Sequence, residues 1–419
     1  MNETSEFIPL IPQYIKYAIP LFSVTIVIEF ILAKRRGKQD HYRANDTINN
    51  LTMGIFSQIT DILAGLTLFL TYALIYQSYR LFTLENAWYI WVLCYIAHDF
   101  LYYLFHLISH KVNIIWGSHE PHHSSEEFNY SVALRQGAFQ TFFSSPIFFS
   151  LAILGFDPVM WLICGQLNLI FQFLPHTRLI GKMWGPIEFI FSTPSHHRVH
   201  HAKNPKYIDK NFGGTFIIWD RMFGTFKEEE DNEVPVYGII TPLKSWNPVW
   251  GQVKNWVMLF KRFWSMPGLL NKLKVLFLNP SWTPSGQSTT PEVSMQTYEK
   301  YDQGVKGLYR NIYLIISFLF CSNTFLYFDL FVTSDLDKGL TISFLIVSLL
   351  SVGILLNNPS WAKKLEVIRI VTCTLIGLFY AFFILQSTLA SVFISSSGLL
   401  FLALFYYLFQ KGSSKGSPS

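Results

Sequence analysis

Apolar runs long enough to cross a lipid bilayer recur along this chain and leave few folds open to it. They can be read at 14–33, 51–76, 88–108, 308–332, 340–356, 367–386 and 389–409, close to the about 17 to 25 residues that a spanning helix needs. A further pair, 139–156 and 159–174, is parted only by Asp157 and Pro158 and predicts a helical hairpin, spanning or re-entrant. Charged residues make up 14% of the 419, against about 25% in soluble domains. The expected fold is an all-α, polytopic integral membrane helical bundle.

Lys34, Arg35, Arg36 and Lys38 follow the first run instead of preceding it, which reads as a retained anchor and not a cleaved signal. By the positive-inside rule that end of the run lies in the cytoplasm. Counting spans onward puts every histidine cluster in a cytoplasmic cap. The net charge of +5 comes from basic residues dispersed through membrane-flanking loops, which suits an anionic leaflet and excludes a nucleic-acid partner. Cys94, Cys164, Cys321 and Cys373 lie far apart within apolar runs and read as small buried hydrophobes.

Eleven of the twelve histidines fall between His98 and His201, most in His106-Leu-Ile-Ser-His110, His119-Glu-Pro-His122-His123 and His197-Arg-Val-His200-His201. Steps of three and four residues place side chains on one helical face, so each cluster can aim two or three imidazoles at a common point. Eight or more imidazoles exceed the four to six ligands of one ion and argue for two metals, with iron, zinc, copper and nickel all suited to imidazole. His176, beside Pro175, is a further candidate ligand; His196 is either a ligand or a hydrogen-bonding support. Asp99, seven residues before His106, is placed to accept a ring N–H. His98 lies off that face, and Tyr102 and Tyr103 either line the pocket or belong to an aromatic belt. A redox-active pair suits oxygen chemistry at an unactivated C–H bond. A metal transporter would need a polar path through spans that are apolar.

The chain divides into a catalytic block at 1–267, a linker at 268–302 rich in Pro, Ser and Thr, a four-helix block at 303–411 and a polar tail at 412–419. All metal-capable clusters precede the linker. The segment 251–277 mixes apolar and basic residues at helical spacing and predicts an amphipathic helix, either at the membrane surface or on the cap. Gly213-Gly214 lacks the lysine and spacing of a phosphate loop and reads as a packed turn.

More specific patterns accompany the clusters: Asp99-Phe-Leu-Tyr-Tyr-Leu-Phe-His106, Trp116-Gly-Ser-His119-Glu-Pro-His122-His123-Ser-Ser-Glu126, Ala133-Leu-Arg-Gln136, Gln166-Leu-Asn168, Gln172 to Thr177, Thr193-Pro-Ser-His-His-Arg-Val-His-His201 and Ile208-Asp-Lys-Asn211. Together they resemble the integral-membrane fatty acid hydroxylase and sterol desaturase superfamily, most closely its members that cleave glycerol ether lipids. The resemblance extends over nearly the whole chain. It implies a di-iron, oxygen-dependent monooxygenase that hydroxylates the carbon next to the ether oxygen, releasing a fatty aldehyde and glycerol, with tetrahydrobiopterin as electron donor and a lipid from the bilayer as substrate. It further implies His106, His110, His119, His122, His123, His197, His200 and His201 as ligands to two Fe ions, with His176 and His196 beside them. Asp99, Glu126, Asn168 and Gln172 match catalytic-site positions, and Asn129, Arg135 and Gln136 match supporting ones. The alternative within the superfamily is hydroxylation or desaturation of an acyl chain, sterol or carotenoid. Leu107 stands where the family usually has Arg, and Glu120 where a neutral residue is usual.

Overall fold

The structure, a computed structural model, describes residues 14–285, 298–302, 307–331, 335–384, 386 and 388–413. Among them there are helices, two isolated β-bridges and no strand. Five helical stretches are long and apolar enough to cross a membrane: Tyr17–Arg35, Gln39–Tyr79, Trp88–Lys111, Leu336–Asn357 and Ala362–Phe383. The chain is an integral membrane protein. It forms two compact units, one of residues up to Arg43, Ser57–Leu243 and Gln252–Lys300, the other of Ala44–Phe56, Lys244–Gly251 and the chain from Tyr301. Residues 286–297 of the expected linker and 414–419 of the tail lie outside the described residues.

In the first unit, α1 (Tyr14–Arg35), α2 (Ala44–Tyr79, its first 13 residues in the other unit) and α3 (Trp88–Lys111) are the long apolar helices. Short α4 (Asn113–His123) and α5 (Tyr130–Ala133) follow, then the expected hairpin as α6 (Gln140–Leu154) and α7 (Pro158–Phe173). Gly155, at φ 95°, ends α6 in the left-handed conformation, and the Asp157 side chain accepts from Val159 N at 2.8 Å to start α7, with Pro158 at its first position. That is the preferred grammar for a stop and a restart. At 15 and 16 residues the two helices are each about 22 to 24 Å long, short of the roughly 30 Å hydrocarbon layer. Their core joins α2 and α3 through Tyr72, Cys94, Phe148, Leu151 and Cys164, with Tyr72 stacked on Trp161 at 4.2 Å.

Buried Glu29 of α1 accepts from Tyr130 N at 2.8 Å, from Thr177 Oγ1 at 2.5 Å and from Tyr42 Oη, tying α1 to the segments that flank the histidines. Beyond α7 come α8 (Gly185–Ile190), α9 (Pro194–His200), α10 (Ile218–Phe223), α11 (Pro248–Ser265) and α12 (Leu269–Phe277). The single amphipathic helix expected over 251–277 is therefore two. Pro267 cannot donate to a continuing helix, and Gly268 turns the chain at φ 73°.

The second unit contains α13 (Leu308–Phe331), α14 (Asp335–Asn357), α15 (Ala362–Phe379), a π-helical turn at Tyr380–Ile384 and α16 (Thr388–Ser413), close to the four apolar runs of the sequence. Tyr313, Leu314, Leu355 and Leu356 are fully buried in its core. It also holds a charged network that the apolar runs do not announce. Glu366 accepts from Arg369 Nε at 2.8 Å and from the hydroxyls of Tyr313 and Ser351, while Arg369 donates to Ser348 at 3.0 Å. A carboxylate and a guanidinium are tolerable there because each satisfies the other.

Candidate metal centre

The histidines sort into two all-imidazole groups. His106, His110, His119, His123 and His200 form one; His122, His176, His197 and His201 form the other; within each, one ring nitrogen per residue lies within 4.8 Å of all the rest. All nine are buried. The expectation that each sequence cluster aims at one point holds for His106 and His110 but fails for both triplets. His119 and His123, one turn apart, share the first group while His122 joins the second; His197 and His201 share the second while His200 joins the first. Consecutive residues diverge by about 100° around a helix, so an i, i+4 pair stays together and its neighbour turns to the other group. The two groups adjoin: the His123 and His201 rings stack at 4.4 Å.

Which nitrogen faces inward is set by what the other one touches. Nδ1 lies 2.8 Å from the Phe212 carbonyl in His106, 2.7 Å from the Arg135 carbonyl in His122, 2.8 Å from the Gln172 carbonyl in His176 and 3.0 Å from the Lys210 carbonyl in His200. In His119 it lies 2.8 Å from the Gln140 amide oxygen. Oxygens of this kind only accept, so the proton sits on Nδ1 and a bare lone pair is left on Nε2. Those Nε2 atoms point at one another: His106 to His119 at 2.9 Å, His119 to His123 at 3.0 Å, His123 to His200 at 3.1 Å, and His176 to His197 at 3.0 Å and to His122 at 3.3 Å. His110 Nε2 is buried with no hydrogen-bond partner. Converging lone pairs repel unless a cation lies between them, so the donor set fits two imidazole-bound metal ions such as a di-iron pair.

Burial drives the imidazoles toward the neutral form that binds metal. His122, His123, His197, His200 and His201 are held well below the ordinary histidine range by desolvation first and by neighbouring imidazoles next. Desolvation brings His119 to about 3 and His176 to about 4, from 6.5. A lowered histidine pKa means that the unfolded chain takes up the proton first, so this stability is present above pH 6.5 and is lost as pH falls through the folded value. For His176 alone the loss is about 3 kcal/mol. Metal-free protein followed by near-ultraviolet circular dichroism should unfold progressively between pH 6.5 and about 4; a signal flat across that window would contradict it.

A loop delivers two of the carbonyls. Asp209 and Asn211 both adopt positive φ, 59° and 58°, a conformation that Asn and Asp tolerate better than most residues. The Asn211 side chain fixes the turn by donating to His196 O at 3.1 Å and Lys227 O at 2.7 Å and accepting from Lys227 N at 2.8 Å. Between these residues Lys210 O reaches His200 and just beyond them Phe212 O reaches His106. Asp209 itself lies 3.5 Å from His110 Nδ1 and 2.5 Å from Lys111 Nζ.

Asp99 does not touch an imidazole. It accepts from Thr215 N at 2.6 Å, Phe216 N at 3.1 Å, Trp219 Nε1 at 2.9 Å and Asn168 Nδ2 at 2.6 Å, and so anchors the continuation of that same loop. Gln172 donates to Asn168 Oδ1, which makes Gln172, Asn168 and Asp99 one chain of hydrogen bonds. Gly214 sits against it, since a Cβ there would lie 2.8 Å from Asp99 Oδ1. Glu126 is buried in a separate polar group, accepting from Tyr298 Oη with Arg43 3.5 Å away. His196 stands outside both imidazole groups: Nε2 is 3.0 Å from Glu188, and Nδ1 closes the Thr193 capping box. His98 packs on Phe148 at 4.5 Å, away from the other rings.

Four of the positions outside the family pattern or supporting it also find places. Glu120 is buried, which pushes its carboxyl up to about 7; it faces α11, where the Asn255 amide, with its nitrogen toward the carboxyl, donates to it at 2.9 Å. Arg135 is fully buried and caps the end of α4 by donating to Pro121 O and Ser124 Oγ, both at 2.7 Å. Asn129 caps α5 at Ser131 N, 3.0 Å away, and Gln136 donates to Ala133 O at 2.9 Å. Gln140 is a support outside the sequence motifs, whereas Asp209 and Asp220 lie within motif stretches, Ile208-Asp-Lys-Asn211 and Ile217-Ile-Trp-Asp220, that gave them no role. Asp220 accepts from Phe212 N at 2.8 Å and Gly213 N at 2.7 Å.

Gly137 brings the Gln140 turn against α4. A Cβ at Gly137 would lie 1.7 Å from the Ser118 carbonyl oxygen, and a backbone atom cannot swing aside as a side chain can. Gly137→Ala is expected to cost about 3 kcal/mol or more and to disturb the His119 contact to Gln140. Thermal unfolding in detergent alongside turnover checks this; an unchanged melting temperature would refute it.

The fatty acid hydroxylase family model matches residues 91–225, which contain every histidine of the two groups. Alkylglycerol monooxygenase of Danio rerio is 34% identical over 410 residues, covering 96% of this chain and 90% of the relative. Alkylglycerol monooxygenase of Xenopus tropicalis is 36% identical over 377 residues, 88% and 83% of the two chains, and that of Homo sapiens 34% over 391 residues, 91% and 86%. No solved structure matches. With its two imidazole groups inside the matched domain and its similarity extending along nearly the full length, the chain belongs to the alkylglycerol monooxygenase family.

Proposed function

We propose that this membrane monooxygenase cleaves glycerol ether lipids, with the nine clustered imidazoles as the ligands of two iron ions and the cap facing the cytoplasm. The reading is carried by the two adjoining groups of converging Nε2 lone pairs. Held there, iron supplies the capacity to activate dioxygen for oxygenation of a C–H bond.

The chain's own residues set the conditions. The carbonyls of Phe212, Arg135, Gln172 and Lys210 keep the proton on Nδ1 and the lone pair on Nε2. Trp116 packs 4.9 Å from the His110 ring, Phe212 5.1 Å from the same ring and Phe128 5.6 Å from His176, so aromatic walls keep bulk water from the imidazoles. The Gln172, Asn168 and Asp99 chain holds the loop behind His106. Overall, an alkylglycerol, dioxygen, two electrons and two protons give water and a lipid hydroxylated at the carbon next to the ether oxygen. That product is a hemiacetal, which separates into fatty aldehyde and glycerol. Tetrahydrobiopterin is the proposed source of the electrons, and the basic residues Lys34, Arg35, Arg36 and Lys38 at and just beyond the end of α1 support the cytoplasmic orientation of the cap.

Purified protein in vesicles, given an alkylglycerol, reduced pterin and oxygen, should form fatty aldehyde detectable by mass spectrometry, and His122→Ala should abolish it. Iron-loaded protein that forms no aldehyde but hydroxylates an acyl chain or sterol would replace the ether substrate with another lipid.

A further inference from the structure

Helix α12 carries a face that nothing in its own unit covers. Leu269, Leu270, Leu273 and Phe277 are 70%, 65%, 43% and 56% exposed, while Val275 on the opposite side is buried. On a helix of 3.6 residues per turn these four fall within an arc of about 100°. Lys274 borders that arc on one side and Lys272 on the other. Lys272 Nζ also lies 5.3 Å from the ring centre of Trp264, itself 73% exposed at the end of α11.

The place of α12 in the fold is fixed by α3 and α4. Asn113, two residues beyond the end of spanning helix α3, donates from its backbone N to Leu278 O and from Nδ2 to Val275 O, both at 3.1 Å. The apolar stripe is thereby held at the level where a membrane-crossing helix leaves the hydrocarbon. From 248 to 277 there are five basic residues, Lys254, Lys261, Arg262, Lys272 and Lys274, and no Asp or Glu. Two such faces brought together would set like charges side by side, whereas an anionic leaflet complements them.

We infer that α12 is an interfacial anchor that lies in the headgroup boundary of an anionic leaflet, with Leu269, Leu270, Leu273 and Phe277 among the upper acyl chains and Lys272 and Lys274 at lipid phosphates. Asn113, which holds the end of α12, also begins α4, and Gly117 within that helix receives Trp256 of α11 so closely that a Cβ would lie 2.3 Å from the indole nitrogen. His119, His122 and His123 lie at its other end.

The test uses the full chain reconstituted in phosphatidylcholine vesicles with or without phosphatidylserine, carrying the photocrosslinker p-benzoylphenylalanine in place of Leu273, Phe277 or, as a solvent-facing reference, Glu228. Mass spectrometry after irradiation should find phospholipid adducts at the first two positions and none at the third. Phosphatidylserine should raise their yield several-fold, and Lys272→Glu combined with Lys274→Glu should remove that increase. Crosslinks to a second copy of the chain in place of lipid, or no lipid adduct at either helix position, would overturn the anchor. A yield indifferent to both phosphatidylserine and charge reversal would overturn the anionic preference.

Discussion

His197→Ala lowers turnover by well over about 100-fold, since loss of hydrogen bonds to metal ligands alone costs about 10- to 100-fold and His197 is itself in the four-imidazole group. Its sequence neighbour behaves differently. His196 bonds to Glu188 and closes the turn at Thr193, so His196→Gln is expected to cost about 1 to 2 kcal/mol of stability while the protein keeps its metal. Parallel turnover and metal analysis of the two variants separates them. Equal loss of metal in both would show that the division of adjacent histidines is wrong.

Asp99→Ala has the second large effect, and it acts at a distance. Removing the carboxylate strands Thr215 N, Phe216 N and Trp219 Nε1 and takes one of the two acceptors of Asn168 Nδ2, which keeps Thr215 Oγ1 at 3.1 Å. A buried polar group left unpaired costs about 1 to 3 kcal/mol, so the combined loss is about 4 kcal/mol or more. The loop that releases first is the one whose Phe212 carbonyl orients His106. Turnover should therefore fall by about 10- to 100-fold even in preparations that remain folded, with Asp99→Asn intermediate because it still accepts on one oxygen. Thermal unfolding and kcat measured together check this. A variant with wild-type stability and kcat would show that the loop stands without Asp99.

Much of this was legible in the residues. Apolar runs announced the helices, Asp157-Pro158 announced the hairpin break, and steps of three and four residues marked the metal-capable imidazoles, rightly joining His106 with His110 but wrongly aiming each triplet at a single point. What that reading overlooked is that consecutive residues diverge by about 100° around a helix, so the odd histidine of each triplet turns away from its i, i+4 pair and joins the other group. The partners of Nδ1 were hidden for a different reason. Four of them are backbone carbonyls, of Phe212, Arg135, Gln172 and Lys210, and every residue has a carbonyl. Asp99 stood at the right interval to orient His106, yet backbone amides of the 213–216 turn reached it first. The network around Glu366 and Arg369 was concealed because its other members, Tyr313, Ser348 and Ser351, come from helices distant in sequence and carry no motif.

Metal stoichiometry tests the central claim most directly. Iron-reconstituted protein should hold two ions per chain by elemental analysis, with Mössbauer parameters of nitrogen-rich iron, and cutting either group to three imidazoles, by His119→Ala with His123→Ala in the first or by His201→Ala in the second, should leave about one. A single ion per chain in the unaltered protein, or two retained when either group is cut to three, would contradict the arrangement of two imidazole-bound metals.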